Sequence, residues 1–223
     1  MKYMTCLVSF LLILATRAFG APYPHVELIF GYIPFDQSCE QWRNTKIEPQ
    51  WYAELRTKIK AWQAYWDQEA SLLLGTTSTE IHKPFRYQDM IATLTLCPIA
   101  SMSRPLLINV RPFLDGPTQQ QPRPLFLLSA VVFHELLHTY VLGALPPGTS
   151  ALLEKYKGEE PLVKNHLHLL AVIKLVYLKL DRAEHLQQIM EKDRALGNPG
   201  YGRAWQIVND LEGHDAFVHE LRQ

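Results

Sequence analysis

Cysteine and net charge are both scarce in this sequence. Only three cysteines occur among 223 residues, and 22 basic side chains balance 22 acidic ones. Three cysteines are too few for a disulfide-dense mini-protein or a cysteine-rich zinc module. The balanced charge provides no basic surface, so we expect no nucleic-acid partner. Because 48% of the residues are hydrophobic and only 20% are charged, a disordered tail is also excluded, and we expect a folded globular chain.

The first twenty residues have the pattern of a secretory signal peptide. Lys2 precedes a short apolar run, and the small residues Ala18 and Gly20 stand at positions −3 and −1 of a cleavage site. The run is too short for a membrane anchor, which takes about 20 apolar residues. We expect no later segment to be both apolar and long enough to span a membrane. We therefore expect an exported protein, periplasmic or secreted, with residues 1–20 removed and one domain over residues 21–223.

Cleavage at this site would leave two cysteines, Cys39 and Cys97, after the loss of Cys6. A cysteine pair in an oxidising compartment is most simply a disulfide. The alternative is two unpaired buried thiols. A bridge that closes a loop of this length adds about 4 kcal/mol to stability in the chain-entropy model.

The hydrophobic patterns predict strands first and helices later. β-branched and aromatic residues indicate strands over residues 26–33, 87–96 and 105–113, with a loop after the first. Apolar residues at spacings of three and four indicate a long core-facing helix from about Pro49 to Leu74, with Gly75 just past its end. Later helices are predicted over residues 124–143, 160–180, 182–196 and 202–212, with a short C-terminal turn. The fold class is therefore α+β, with a sheet-containing lobe over residues 21–123 and a helical lobe over 124–223.

One motif in the sequence indicates a metal-binding and catalytic function. His134, Glu135 and His138 form a His-Glu-x-x-His pattern inside an apolar stretch. On a helix the two histidines lie one turn apart on the same face, so both can bind one zinc ion. Glu135 lies about 100° further round the helix, where it can take a proton from water that the metal activates. Burying these groups without a partner would cost several kcal/mol, and a bound metal removes that cost.

This motif resembles the active-site helix of the zincin metallopeptidases, specifically over residues 124–143. The resemblance implies a mixed sheet upstream, zinc ligation by His134 and His138, and a general-base role for Glu135. The segment 105–113 is similar in placement to the zincin edge strand that lines the substrate cleft. Val141 and Ala144 stand where the metzincin extension has glycine and histidine. The later stretch 165–170 lacks the glutamate of the thermolysin-like pattern, so neither subfamily supplies the third ligand.

The helix near residues 160–180 is the natural source of a third zinc ligand. His166 and His168 are about 200° apart on it, so only one can face the metal. The lysines of this helix mark its exposed side and favour His166, which leaves His168 near Lys179 as the alternative. We expect Asn165 to orient a ligand by hydrogen bonding. The remaining candidates are Glu154, Glu159, Glu160, His185, His214 and His219. Candidates to stabilise an oxyanion are Tyr177, Tyr201 and His214.

These residues predict an exported zinc hydrolase that acts on a peptide or protein substrate. A zinc amidase that cleaves a non-protein amide would use the same residues. A third alternative is an exported protein that binds zinc or is structural but catalyses nothing. Glu135 argues against this third alternative, since zinc binding alone does not require that carboxylate.

Overall fold

The computed structural model describes residues 23–31, 33–117 and 121–223. The predicted signal peptide, residues 1–20, lies outside these ranges. The described residues form an α+β fold with a small mixed sheet and eight α-helices, as the sequence predicts. The helices are α1 (Ile33–Trp42), α2 (Pro49–Ile81), α3 (Leu125–Ala144), α4 (Ala151–Lys155), α5 (Pro161–Lys179), α6 (Ala183–Arg194), α7 (Pro199–Gln206) and α8 (His214–Arg222).

Four strands form the sheet in the order β1-β2-β4-β3. They are β1 (His25–Ile29), β2 (Asp89–Thr95), β3 (Met102–Ser103) and β4 (Leu106–Asn109). β1 and β4 both pair with β2 in parallel, and β3 pairs with β4 antiparallel. The predicted strand over 105–113 is therefore an inner strand that gives way to a short 3₁₀ helix, Arg111–Phe113. The expectation that it forms the edge was wrong, because the two-residue β3 covers it.

Helix α2 is longer than the sequence pattern indicates. It continues through Gly75 to Ile81, where His82 ends it in the left-handed conformation with a φ of 61°. Gly75 lies against the Tyr23 ring, which a β-carbon would approach to 3.5 Å. Glycine inside a helix costs only about 1 kcal/mol, and the burial of residues on both sides of Gly75, from Leu73 to Ile81, outweighs this cost. The predicted core residues Trp51, Trp62 and Trp66 are all buried.

The predicted loop after β1 is helix α1 instead, with Pro34 near its start and Asp36 in its first turn. Asp36 is buried, and its carboxylate accepts hydrogen bonds from the Thr95 hydroxyl and the Leu96 backbone N–H. Burial raises the pKa of Asp36, and these hydrogen bonds lower it again in part. A buried acid that bonds to the end of β2 thus fixes α1 against the sheet.

The disulfide between Cys39 and Cys97 is confirmed. It joins α1 to the residues that follow β2, across a Cα–Cα distance of 5.8 Å and a separation of 58 residues. Both cysteines are fully buried. The bridge therefore fixes the same junction as the Asp36 hydrogen bonds, and it is compatible with export.

Two buried helices form the centre of the molecule. α3 contacts the β3–β4 hairpin on one side and α2, α5, α6 and α8 on the others, while α5 also packs against α2, α6, α7 and α8. The predicted helix over 202–212 begins earlier, as α7, and its second half is a π-helix, Ile207–Leu211. One hydrophobic core runs from the sheet through α3 to the C-terminal helices.

Helix α3 corrects one sequence expectation. Within the described residues it is the one helix long and apolar enough, by length and composition alone, to cross a membrane. Its most apolar window is 72% buried inside the fold, however. The same composition is typical of a helix at the core of a globular domain.

Candidate metal centre

The His-Glu-x-x-His motif lies in the middle of α3, where neighbours cover nearly every side chain. His134 and Glu135 are buried and His138 is half-buried. The helical spacing brings the rings of His134 and His138 together, with their centroids 5.0 Å apart.

The third member of the cluster is His166, which α5 brings to the same place. Its ring centroid lies 5.1 Å from that of His134 and 4.8 Å from that of His138. One ring nitrogen from each of the three histidines lies within 4.8 Å of the other two. Three imidazoles at this separation could hold one metal ion, and within the described ranges no second cluster of this kind is found.

The hydrogen bond that His166 makes leaves its Nε2 atom available to bind a metal. Its Nδ1 bonds to the Leu162 carbonyl oxygen at 2.7 Å, so Nδ1 carries the proton and Nε2 presents a lone pair. A backbone carbonyl in this position fixes the tautomer and the ring orientation of a ligand. The sequence analysis predicted that Asn165 orients the ligand, but Asn165 is exposed on α5.

The electrostatics of the cluster favour neutral imidazoles. Burial lowers the pKa of His138 to about 4, with a further contribution from His166. Burial also lowers the pKa of His134 well below its usual value, and burial lowers that of His166. Since a metal binds the neutral imidazole, the environment already selects the form that a metal needs.

His168 does not belong to the cluster. The positions of the lysines on α5 predicted that His168 faces water, but its side chain is only 2% exposed. Its Nε2 lies 2.8 Å from Glu220 Oε2, and Glu220 also accepts hydrogen bonds from Ser150 Oγ and the Leu152 backbone. His168 thus ties α5 to α8 and to the start of α4.

The other candidate ligands are placed elsewhere. Glu154 pairs with Lys157 at 2.6 Å, and Glu159 pairs with Arg203. Glu160 immediately precedes α5, outside the cluster. The remaining histidines are also engaged or exposed: His185 stacks on Phe126, His214 pairs with Asp215, and His219 is exposed.

A cavity of about 150 Å³ opens beside the cluster, and both His134 and Glu135 line it. Burial raises the pKa of Glu135 to about 7, and the positive charge of Lys192 offsets part of this rise. Within the described part of the chain, no hydrogen bond or ion pair engages the Glu135 carboxylate. It is therefore free to bond to a water molecule or a ligand in the cavity.

Tyr201 is the one oxyanion candidate that reaches the cluster. Its ring centroid lies 4.7 Å from that of His166 and 6.4 Å from that of His134, and Tyr201 lines the same cavity. Burial raises its pKa to about 12, so the hydroxyl remains a donor. Tyr177, by contrast, is buried close to the Glu69–Arg182 ion pair, and His214 lies beside Asp215.

Comparison of the chain with protein-family models, with curated proteins and with solved structures finds no match. The function must therefore be argued from the site itself.

Proposed function

We propose that this protein is an exported zinc-dependent hydrolase, and specifically a metallopeptidase of the zincin type. The observation that carries the proposal is a cluster of three histidines beside a cavity that His134 lines together with Glu135, a carboxylate that no described residue engages. A purely structural zinc site commonly has four protein ligands and no opening, whereas a catalytic site has three ligands and access for substrate.

The ligand chemistry fits zinc. His134, His138 and His166 offer three imidazole nitrogens, and zinc accepts such a set in catalytic sites. Zinc bound there would act as a Lewis acid that polarises a carbonyl group and makes water easier to deprotonate near neutral pH.

Two residues of the chain would then carry out the proton and charge steps. Glu135 would accept the proton of the attacking water and deliver it to the leaving amine. The Tyr201 hydroxyl, which makes no hydrogen bond within the described residues, would donate one to the oxyanion of the tetrahedral intermediate. A peptide or protein is the substrate that this chemistry serves.

The test is to measure zinc content and hydrolysis of an unfolded protein for the purified mature chain. We expect one zinc per molecule, and Glu135→Gln should keep the zinc while hydrolysis falls by about 100-fold or more. His219→Ala, which alters an exposed histidine, is the matched control and should change neither quantity.

Two results would contradict the proposal. If zinc is bound but the wild-type chain hydrolyses no peptide bond, the protein is either a silent zinc binder or an amidase for another substrate. If the Glu135→Gln variant is as active as the wild type, Glu135 is not the base.

A further inference from the structure

The cavity at the histidine cluster also carries positive charge. Besides His134 and Glu135, its lining includes Lys192 from α6 and Arg123 from the segment before α3. The Arg123 side chain has no ion-pair partner among the described residues. The zinc and base chemistry of a peptide hydrolase does not use these two cations directly, so both are available for a further role.

Lys192 is held in position by a buried acid. Its Nζ lies 3.0 Å from Asp193 Oδ1, and Asp193 Oδ2 accepts a hydrogen bond from Trp205 Nε1 at 3.0 Å. The Asp193 side chain is 1% exposed, while that of Lys192 is 13% exposed. Asp193 is therefore enclosed by its partners, and the ammonium group still has N–H donors for a ligand.

The other polar side chains of the lining are mostly satisfied within the protein. Asn109 donates to the Ile99 carbonyl and accepts from the Arg111 backbone N–H. Ser101 Oγ accepts from the Asn109 backbone. Apart from the residues already assigned to the reaction, Lys192 and Arg123 are thus the cationic groups that remain for a ligand.

We propose that this cavity is a recognition site for a carboxylate on the substrate, with Lys192 as the specificity-determining residue. This inference rests on the proposed function and names its substrate class: peptides with a carboxylate on the residue next to the cleaved bond. The carboxylate could belong to an acidic side chain or to the C-terminus of the peptide.

The size and the walls of the cavity support one short residue as the occupant. About 150 Å³ is enough for a single side chain, and Phe113, Val131 and Leu196 provide an apolar wall for its methylene groups. A carboxylate that accepts a charged hydrogen bond in such a partly enclosed site is bound more strongly than at an open surface.

The binding of small probe molecules tests the proposed carboxylate site without requiring catalytic turnover. N-acetylglutamate α-methylamide carries a side-chain carboxylate, and N-acetylglutamine α-methylamide is its neutral isostere. N-acetylalanine and its amide form the corresponding C-terminal pair. Each probe is titrated calorimetrically into both zinc-loaded and zinc-free protein, so that a carboxylate bound to the metal alone is recognised.

We expect one of the two carboxylates to bind at least about tenfold more tightly than its neutral partner, with or without zinc. Lys192→Met should remove this preference. Because that variant leaves Asp193 unpaired, the double variant Lys192→Met/Asp193→Asn should be tested as well. Lys157→Met is the matched control: Lys157 also pairs with a nearby acid but is 74% exposed and lies outside the cavity lining. It should keep the preference.

The pair that shows the preference identifies the source of the carboxylate. The inference is overturned if neither pair shows a preference, if the preference persists in both Lys192 variants, or if it disappears when zinc is removed. A preference that depends on Lys192 in a protein without hydrolytic activity would support the carboxylate site and contradict the proposed function. The two failures are therefore distinguishable.

Discussion

At the scale of residues, the two histidines of α5 have opposite roles although both are buried. His166 bonds to the Leu162 carbonyl through Nδ1 and contributes one ring nitrogen to the cluster with His134 and His138. His168 instead uses Nε2 to contact Glu220. Both histidines are buried, so exposure does not distinguish their roles. The partners of their ring nitrogens do distinguish them.

This difference predicts the effect of two alanine substitutions on zinc affinity. His166→Ala removes a donor from the cluster and should weaken zinc binding by more than about 100-fold, beyond the range typical of groups that merely support a ligand. His168→Ala leaves all three donors in place and should change the affinity by less than about tenfold. Competition with a chelating dye measures both. The reverse order of the two variants would place the metal elsewhere.

At the level of secondary-structure elements, local sequence patterns predicted some helices, whereas other features depend on contacts between distant segments. The pattern of α3 and the start of α2 followed from sequence, because apolar spacing and Pro49 are local signals. The phase of α5 followed only in part: the lysines correctly placed His166 inward, but they also predicted an exposed His168, which Glu220 of α8 covers. The same applies to α1, whose buried Asp36 depends on β2 for its partners.

The loop after the 3₁₀ helix offers a stability test at this scale. Gly116 has a φ of 56°, and a β-carbon there would lie 1.8 Å from Trp51 Nε1. Gly116→Ala should therefore lower the free energy of unfolding by about 2 kcal/mol or more. Gly143→Ala is the control, because Gly143 lies in α3 with open space around it and should leave stability unchanged or raise it by up to about 1 kcal/mol. Urea unfolding measures both variants, and an equal effect of the two substitutions would contradict this prediction.

In the whole molecule, the candidate site lies where the sheet and its flanking segments meet the helices that follow residue 124. The cavity takes Ile99, Ser101 and Asn109 from the sheet side, and Lys192 and Tyr201 from the helices that follow α3. The helix with the His-Glu-x-x-His motif was predicted from sequence and Tyr201 was among the oxyanion candidates, but the rest of this lining was not predicted, since its residues are far apart in the chain and carry no motif.

The disulfide should make a large contribution to the stability of the sheet part. Reduction of the Cys39–Cys97 bridge should lower the free energy of unfolding by about 4 kcal/mol, because it frees a 58-residue loop in the unfolded chain. Denaturant unfolding with and without reductant measures this. The double variant Cys39→Ala/Cys97→Ala is the control and should not respond to reductant. A change below about 1 kcal/mol would contradict the predicted role of the bridge.

We expect three histidines of α3 and α5 to hold one zinc ion. X-ray absorption at the zinc edge of the zinc-loaded protein tests it most directly, because it counts the imidazole ligands. We expect three imidazole nitrogens at about 2.0–2.1 Å in the wild type and two in His166→Ala loaded at high zinc concentration. Fewer than three imidazoles in the wild-type spectrum, or an unchanged number in His166→Ala, would show that these histidines do not form the zinc site.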